Sequence, residues 1–156
     1  MNIWNRPTRI PEIYGSIIAL GLIVYFFLMY ALGLLEVIEL RLLNLPIMLG
    51  GVYFALKQFA RTHDGHLNYF RGLAVGVATS SIGAATFSLF LFLFLRFNNG
   101  FMQYIIEHEP MGPYLNPYIA SFMVLLEGVF SGLFITFVLL NWVRSDQVNE
   151  PSGTSS

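Results

Sequence analysis

One carboxylate stands apart from the other ionisable residues of this sequence. Glu127 lies within the apolar run from Tyr118 to Val143, nine residues from its start, and no other Asp, Glu, Lys, Arg or His interrupts that run. In a helix this places it about 14 Å from one end, near the middle of a hydrocarbon layer about 30 Å thick. A carboxylate at such depth costs roughly 2.5–3.5 kcal/mol on insertion scales, so these groups usually face a bundle interior or a wet cavity. On a helical wheel Glu127 shares a face with Val124, Gly128 and Ser131, and that small-residue face is expected to pack on neighbours. Ser80, Ser81, Tyr25 and Tyr53 fall at similar depth in the other apolar runs, and no mid-run Lys, Arg or His is at hand to neutralise it. A lone anion in a low dielectric is disfavoured, so the carboxyl is expected neutral and donating a hydrogen bond. Used as interhelical glue, such a bond contributes about 1 kcal/mol or less. The alternative is a proton- or cation-coupling site. Glue comes slightly ahead, because one carboxylate without a second titratable partner makes a thin relay.

Two loop clusters contain metal-ligand residue types: His63, Asp64 and His66, and Glu107-His108-Glu109. A four-span topology puts them on opposite membrane faces, where they cannot converge on one ion. Each alone has too few well-spaced ligands. Solvated loop polarity is the better reading, and neither a metal nor a cofactor is expected. Nucleophilic catalysis finds no support either. Cysteine is absent, and there is no Gly-x-Ser-x-Gly elbow, phosphate loop or dinucleotide fingerprint. Basic residues interleaved with aromatics, which nucleic-acid binding would require, are missing as well.

The elements that position these residues are set by composition. The chain is 56% hydrophobic and 11% charged, against roughly 45–50% and 25% for soluble domains. A water-soluble fold of 156 residues has too much surface to cover with so few charges. The reading is an all-α membrane protein with four transmembrane helices at about 13–35, 41–59, 72–96 and 118–143 and a short interfacial helix at about 101–109. Residues 1–150 form a single transmembrane domain, and the small polar tail 151–156 is expected to be disordered. The first run, Ile13 to Leu35, has 23 residues, longer than the roughly 7–15 of a signal-peptide core, and is read as a retained span. In the interfacial segment Phe101, Tyr104, Ile105 and His108 share one face, and Pro110 follows its end. Trp4, Tyr14, Tyr114, Tyr118 and Trp142 lie near span ends, where amphipathic rings anchor.

The second span is the weak one. Only 15 uncharged residues separate Arg41 from Lys57, about 22 Å of helix, so both side chains must snorkel for it to cross. Pro46 is expected to kink it near its start, and a re-entrant hairpin is the competing arrangement. Charge bias favours the crossing. Four spans put Arg6, Arg9, Lys57, Arg61, Arg71 and Arg144 on one side and Arg41 and Arg96 on the other. Six against two predicts cytoplasmic N and C termini and, for a bacterial protein, an inner-membrane location.

The third span carries Gly72, Gly76, Ser80, Ala84 and Ser88 at strict four-residue spacing. Such a stripe lets another helix approach closely, and Gly128 and Gly132 offer a matching notch on the fourth span. Packing of spans three and four, or a homodimer seam, is favoured over a ligand path.

The stretch from Arg61 through Gly76, RTHDGHLNYFRGLAVG, resembles the bacterial family known as domain of unknown function 4199, and Glu127-Gly128 followed by Gly132 is similar to its C-terminal region. The resemblance implies four membrane helices over most of the chain and carries no activity to any residue. The leading functional expectation is a non-enzymatic accessory or scaffolding component, or a small homo-oligomer, whose partners are the lipid bilayer and other membrane chains, not nucleic acid. A small proton- or cation-linked transporter or channel subunit built on Glu127 is the alternative. An intramembrane enzyme comes third.

Overall fold

The computed structural model describes residues 9–34, 42–62 and 68–149. Among them it contains helices and one short 3₁₀ turn, with no strand: α1 (Ile10–Leu32), α2 (Asn44–Thr62), α3 (Tyr69–Phe97), α4 (Asn99–His108), the turn Gly112–Tyr114 and α5 (Pro117–Asn149). Three helices are long and apolar enough to cross a membrane: α1, α3 and the Pro117–Trp142 part of α5. The chain is a membrane protein of several apolar helices. Among its 19 residues α2 carries Lys57, Arg61, Pro46 and Gly50-Gly51 and falls short of that measure.

Helix limits follow local chemistry. Pro11 sits in the first turn of α1 with Glu12, where a missing N–H goes unnoticed and negative charge suits the helix dipole. The expected run to Leu35 is too long. Gly33 turns left-handed at φ 68, ψ 22 and its N–H bonds back to Met29 and Tyr30 carbonyls, so the helix ends at Leu32. Asn68 starts α3 by accepting from the Phe70 N–H, three residues earlier than expected, and Asn98 ends it. The expected kink at Pro46 has no place here. Pro46 is the third residue of α2, within the first turn, whose N–H groups lack intrahelical partners anyway. The expected interfacial segment, about 101–109, is α4, which begins two residues earlier. The fourth apolar stretch continues as helix to Asn149. Residues 151–156, Arg41 and the cluster His63, Asp64 and His66 lie outside the described residues.

The four longer helices form a bundle in which α3 touches α1, α2 and α5, while α2 closes the far side against α1 and α5. All four supply the main core: Ile18 and Leu22 from α1, Met48, Val52 and Leu56 from α2, Phe87 from α3, and Ile135, Leu139 and Leu140 from α5. Outward faces stay apolar. Leu20, Phe54, Leu89, Phe130 and Phe134 are all more than half exposed, which suits contact with lipid and not with water.

Close approach is set by glycine. A Cβ at Gly15 would lie 2.8 Å from the Ile82 side chain, and one at Gly83 would lie 2.9 Å from Ile18, so α1 and α3 cross where both lack side chains. Gly51 does the same for α2, where Ile18 fills the place a Cβ would take. In lipid the greasy surface gives helices no reason to associate; contact area of this kind does.

Candidate functional site

The described candidate residues fall into three places: a packed seam between α3 and α5, an isolated carboxyl on the outside of α5, and a polar cluster at the end of α4.

Along the seam, Gly72, Gly76, Ser80, Ala84 and Ser88 are all buried. A Cβ at Gly76 would collide with Thr136, one at Gly132 with the Ser80 side chain, and one at Gly128 would lie 2.6 Å from Ala84 Cβ. The structure thus brings the stripe of α3 against the Gly128 and Gly132 notch of α5, with Thr136 as the residue that fills the Gly76 gap. Most hydroxyls here are occupied, while the Ser121 Oγ of α5 is buried without a hydrogen-bond partner among the described residues. Ser80 donates to Val77 O at 3.0 Å, and Thr79 and Thr136 donate to Val75 O and Gly132 O, each at 2.7 Å. These are bonds back to the same helix, a common resort of Ser and Thr in apolar surroundings. Ser88 is different: its hydroxyl crosses to the Ser121 carbonyl of α5 at 2.6 Å and pins the seam near the start of α5. Nothing in this arrangement leaves an ionisable group or a polar path between the two helices.

Glu127 is not part of the seam. It is exposed, on the flank of α5 that points away from the bundle, while its neighbour Gly128 turns inward to Ala84. The expectation that it shares the packing face is therefore corrected. Successive helical residues lie about 100° apart, and the true inward face is centred near Gly132, Thr136 and Leu139, far enough round to leave Glu127 outside. Ser80 is held by the seam instead, and Tyr53 points outward. Among the described residues no hydrogen bond or ion pair reaches the Glu127 carboxyl.

The other candidate cluster within the described residues sits on α4. His108 stacks on Tyr104, ring centroids 4.1 Å apart, and its Nδ1 lies 2.9 Å from the Tyr104 carbonyl. Gln103 donates to Glu107 at 3.2 Å. Glu107, His108 and Glu109 are exposed, and among the described residues no group of three or more His, Cys, Asp or Glu could hold a metal ion.

Spacing does not point to Asn98. Its side-chain oxygen accepts from the Phe101 N–H at 3.1 Å, capping α4, and its amide nitrogen donates to the Tyr30 hydroxyl of α1 at 3.3 Å. Around it Phe26, Phe94 and Phe101 meet edge to face, with Phe26–Phe94 centroids 5.1 Å apart and Tyr30–Phe94 centroids 5.5 Å apart. This cluster ties α4 to the ends of α1 and α3. The available signal is the Asn-Asn-Gly break between two apolar helices, a pattern that suits a cap.

A family model of proteins of unknown function, DUF4199, matches residues 13–112, from the first turn of α1 to the start of the 3₁₀ turn. The chain belongs to the DUF4199 family. That match takes in the Arg61 to Gly76 stretch and the whole α3 stripe, and it ends before α5. The DUF4199 likeness drawn on Glu127, Gly128 and Gly132 thus lies outside the matched residues. No curated protein and no solved structure matches the chain.

Proposed function

We propose that this DUF4199 protein is a non-enzymatic, four-span component of the bacterial cytoplasmic membrane, with both termini cytoplasmic, that acts as an accessory or scaffolding subunit. The observation that carries this reading is the outward position of Glu127. Its polar capacity is turned outward, where another membrane chain would meet it, while the interior of the bundle is filled mainly by apolar side chains and by hydroxyls such as those of Thr79 and Thr136 bonded to backbone carbonyls. Fourth-span status for α2 is supported by its amphipathic burial. Met48, Val52, Ala55, Leu56 and Phe59 face the bundle, while outward Lys57 sits with its ammonium 5.8 Å from the Tyr53 ring centroid, on a stem long enough to reach the interface. The six-to-two distribution of basic residues supports the orientation.

The experiment is cross-linking in native membranes followed by purification in mild detergent and identification of every co-purifying chain. A defined complex, with no ion flux from the purified protein in proteoliposomes, is expected. A second reading, a proton- or cation-linked subunit with Glu127 on a path between chains, is favoured by the same exposed carboxyl. It requires pH-dependent flux that Glu127→Gln abolishes while fold and assembly persist; that outcome would displace the scaffold reading.

A further inference from the structure

We propose that a second copy of this chain docks on the outer flank of α5, along a seam of Met123, Glu127, Phe130, Phe134, Phe137 and Asn141, with the two Glu127 carboxyls hydrogen-bonded to each other. The proposal rests on the membrane reading above and names the partner that reading leaves open.

These six residues are all exposed; Phe130 and Phe134 are 67% and 69% exposed. Their spacing is four, three, four, three, four, the alternation that keeps two helices in contact along a left-handed crossing, the common geometry of membrane helix pairs. On this pattern Glu127, Phe134 and Asn141 share one heptad position and Met123, Phe130 and Phe137 the other. The repeat appears on the face of α5 that no other described helix covers.

The polar members identify the occupant. A carboxyl near mid-membrane must find a hydrogen-bonding group at its own depth. A second copy inserted with the same orientation, related by a two-fold axis along the membrane normal, brings Glu127 to the same depth by construction. Two carboxyls brought face to face can share a proton, one oxygen donating and the other accepting, and so close a hydrogen-bonded pair. Asn141, two heptads further along, is self-complementary in the same way. Its amide nitrogen donates to the Phe137 carbonyl at 2.9 Å, and its side-chain oxygen remains on the exposed face to accept from a partner amide. Polar residues at single positions of an otherwise apolar heptad seam fix register between like helices.

The natural absence of cysteine makes the test direct. Single cysteines are placed at Met123, Phe130 and Phe134 on the seam, and at Phe122 and Trp142 as exposed positions of α5 away from it. Membranes expressing the full chain are oxidised and run without reductant. Disulfide dimers at the three seam positions at least ten times those at the two controls are expected. With the Phe130→Cys reporter, Glu127→Leu is expected to cut the dimer several-fold and Glu127→Gln to retain most of it, with unchanged helix content and thermal stability showing that each variant is folded. Equal yields at seam and control positions would overturn the proposal, as would a dimer indifferent to Glu127→Leu. A cross-linked product of a different mass at the seam positions would also overturn it, while leaving the accessory-subunit reading intact.

Discussion

Adding one methyl group at Gly132 would drive it into Ser80, and at Gly76 into Thr136, whereas at Gly50 it would meet nothing within 4 Å. Three glycines in apolar helices thus make a graded experiment. Gly76→Ile and Gly132→Leu must force α3 and α5 apart and are expected to lower stability by about 1–3 kcal/mol, the usual cost of overpacking a tight contact. Gly50→Ala should be neutral or stabilise by about 0.4–1 kcal/mol through the unfolded chain. Thermal unfolding in detergent reads all three, and three equal effects would refute the seam. Ser88→Ala, which removes the bond to Ser121 O, should cost about 0.6 kcal/mol, the average for hydrogen bonds between membrane helices. A loss several times larger would mean that Ser88 does more than bridge two helices.

Between helices, the sharpest expectation concerns α4. Its amphipathic side alone holds a helix of 10 residues weakly, and short helices are marginal without capping or tertiary contact. Asn98 supplies both, through the Phe101 N–H and the Tyr30 hydroxyl. Asn98→Ala is expected to destabilise α4 by about 0.5–2 kcal/mol, the range for losing an N-cap. Amide hydrogen exchange should show faster exchange across residues 99–108 with α3 unchanged. Uniform acceleration over the whole chain would show instead that Asn98 supports the bundle. What the sequence discloses here has a physical logic. Small residues at every fourth position share one face whatever surrounds them, so the α3 stripe is legible from spacing alone. The direction in which Glu127 points is not. α5 is apolar on nearly every side, and a wheel without a polar face gives no compass; contacts such as those of Gly128, Gly132 and Thr136 reveal which way is in. Pro46 misleads for a related reason. Arg41 is the nearest charge and so marks the start of the uncharged run, whereas the first turn of α2 begins at Asn44, leaving Pro46 in that turn and not inside the helix.

At the level of the whole chain, everything turns on whether α2 crosses the bilayer. If it crosses, the N-terminal side of α1 and the α2–α3 connection share a compartment, and the connection from α4 to α5 lies across the membrane from them. If α2 instead dips in and returns, α3 runs the other way and the two connections exchange sides. Charge argues for the crossing, because Lys57, Arg61 and Arg71 flank the α2–α3 connection and the positive-inside rule favours the cytoplasmic side for such a cluster. Burial argues the same way, since Met48 and Phe59 lie 11 residues apart on the face turned to the bundle, about 16 Å of helix engaged with its neighbours. With no native cysteine to remove, Gly65→Cys and Met111→Cys each report one connection to an impermeant thiol reagent. Labelling of Met111→Cys from outside intact cells, with Gly65→Cys reacting only after the membrane is opened, is the expected result. The reverse pattern would make α2 a re-entrant segment, invert α3 and α5, and carry the α5 C-terminus to the outer face.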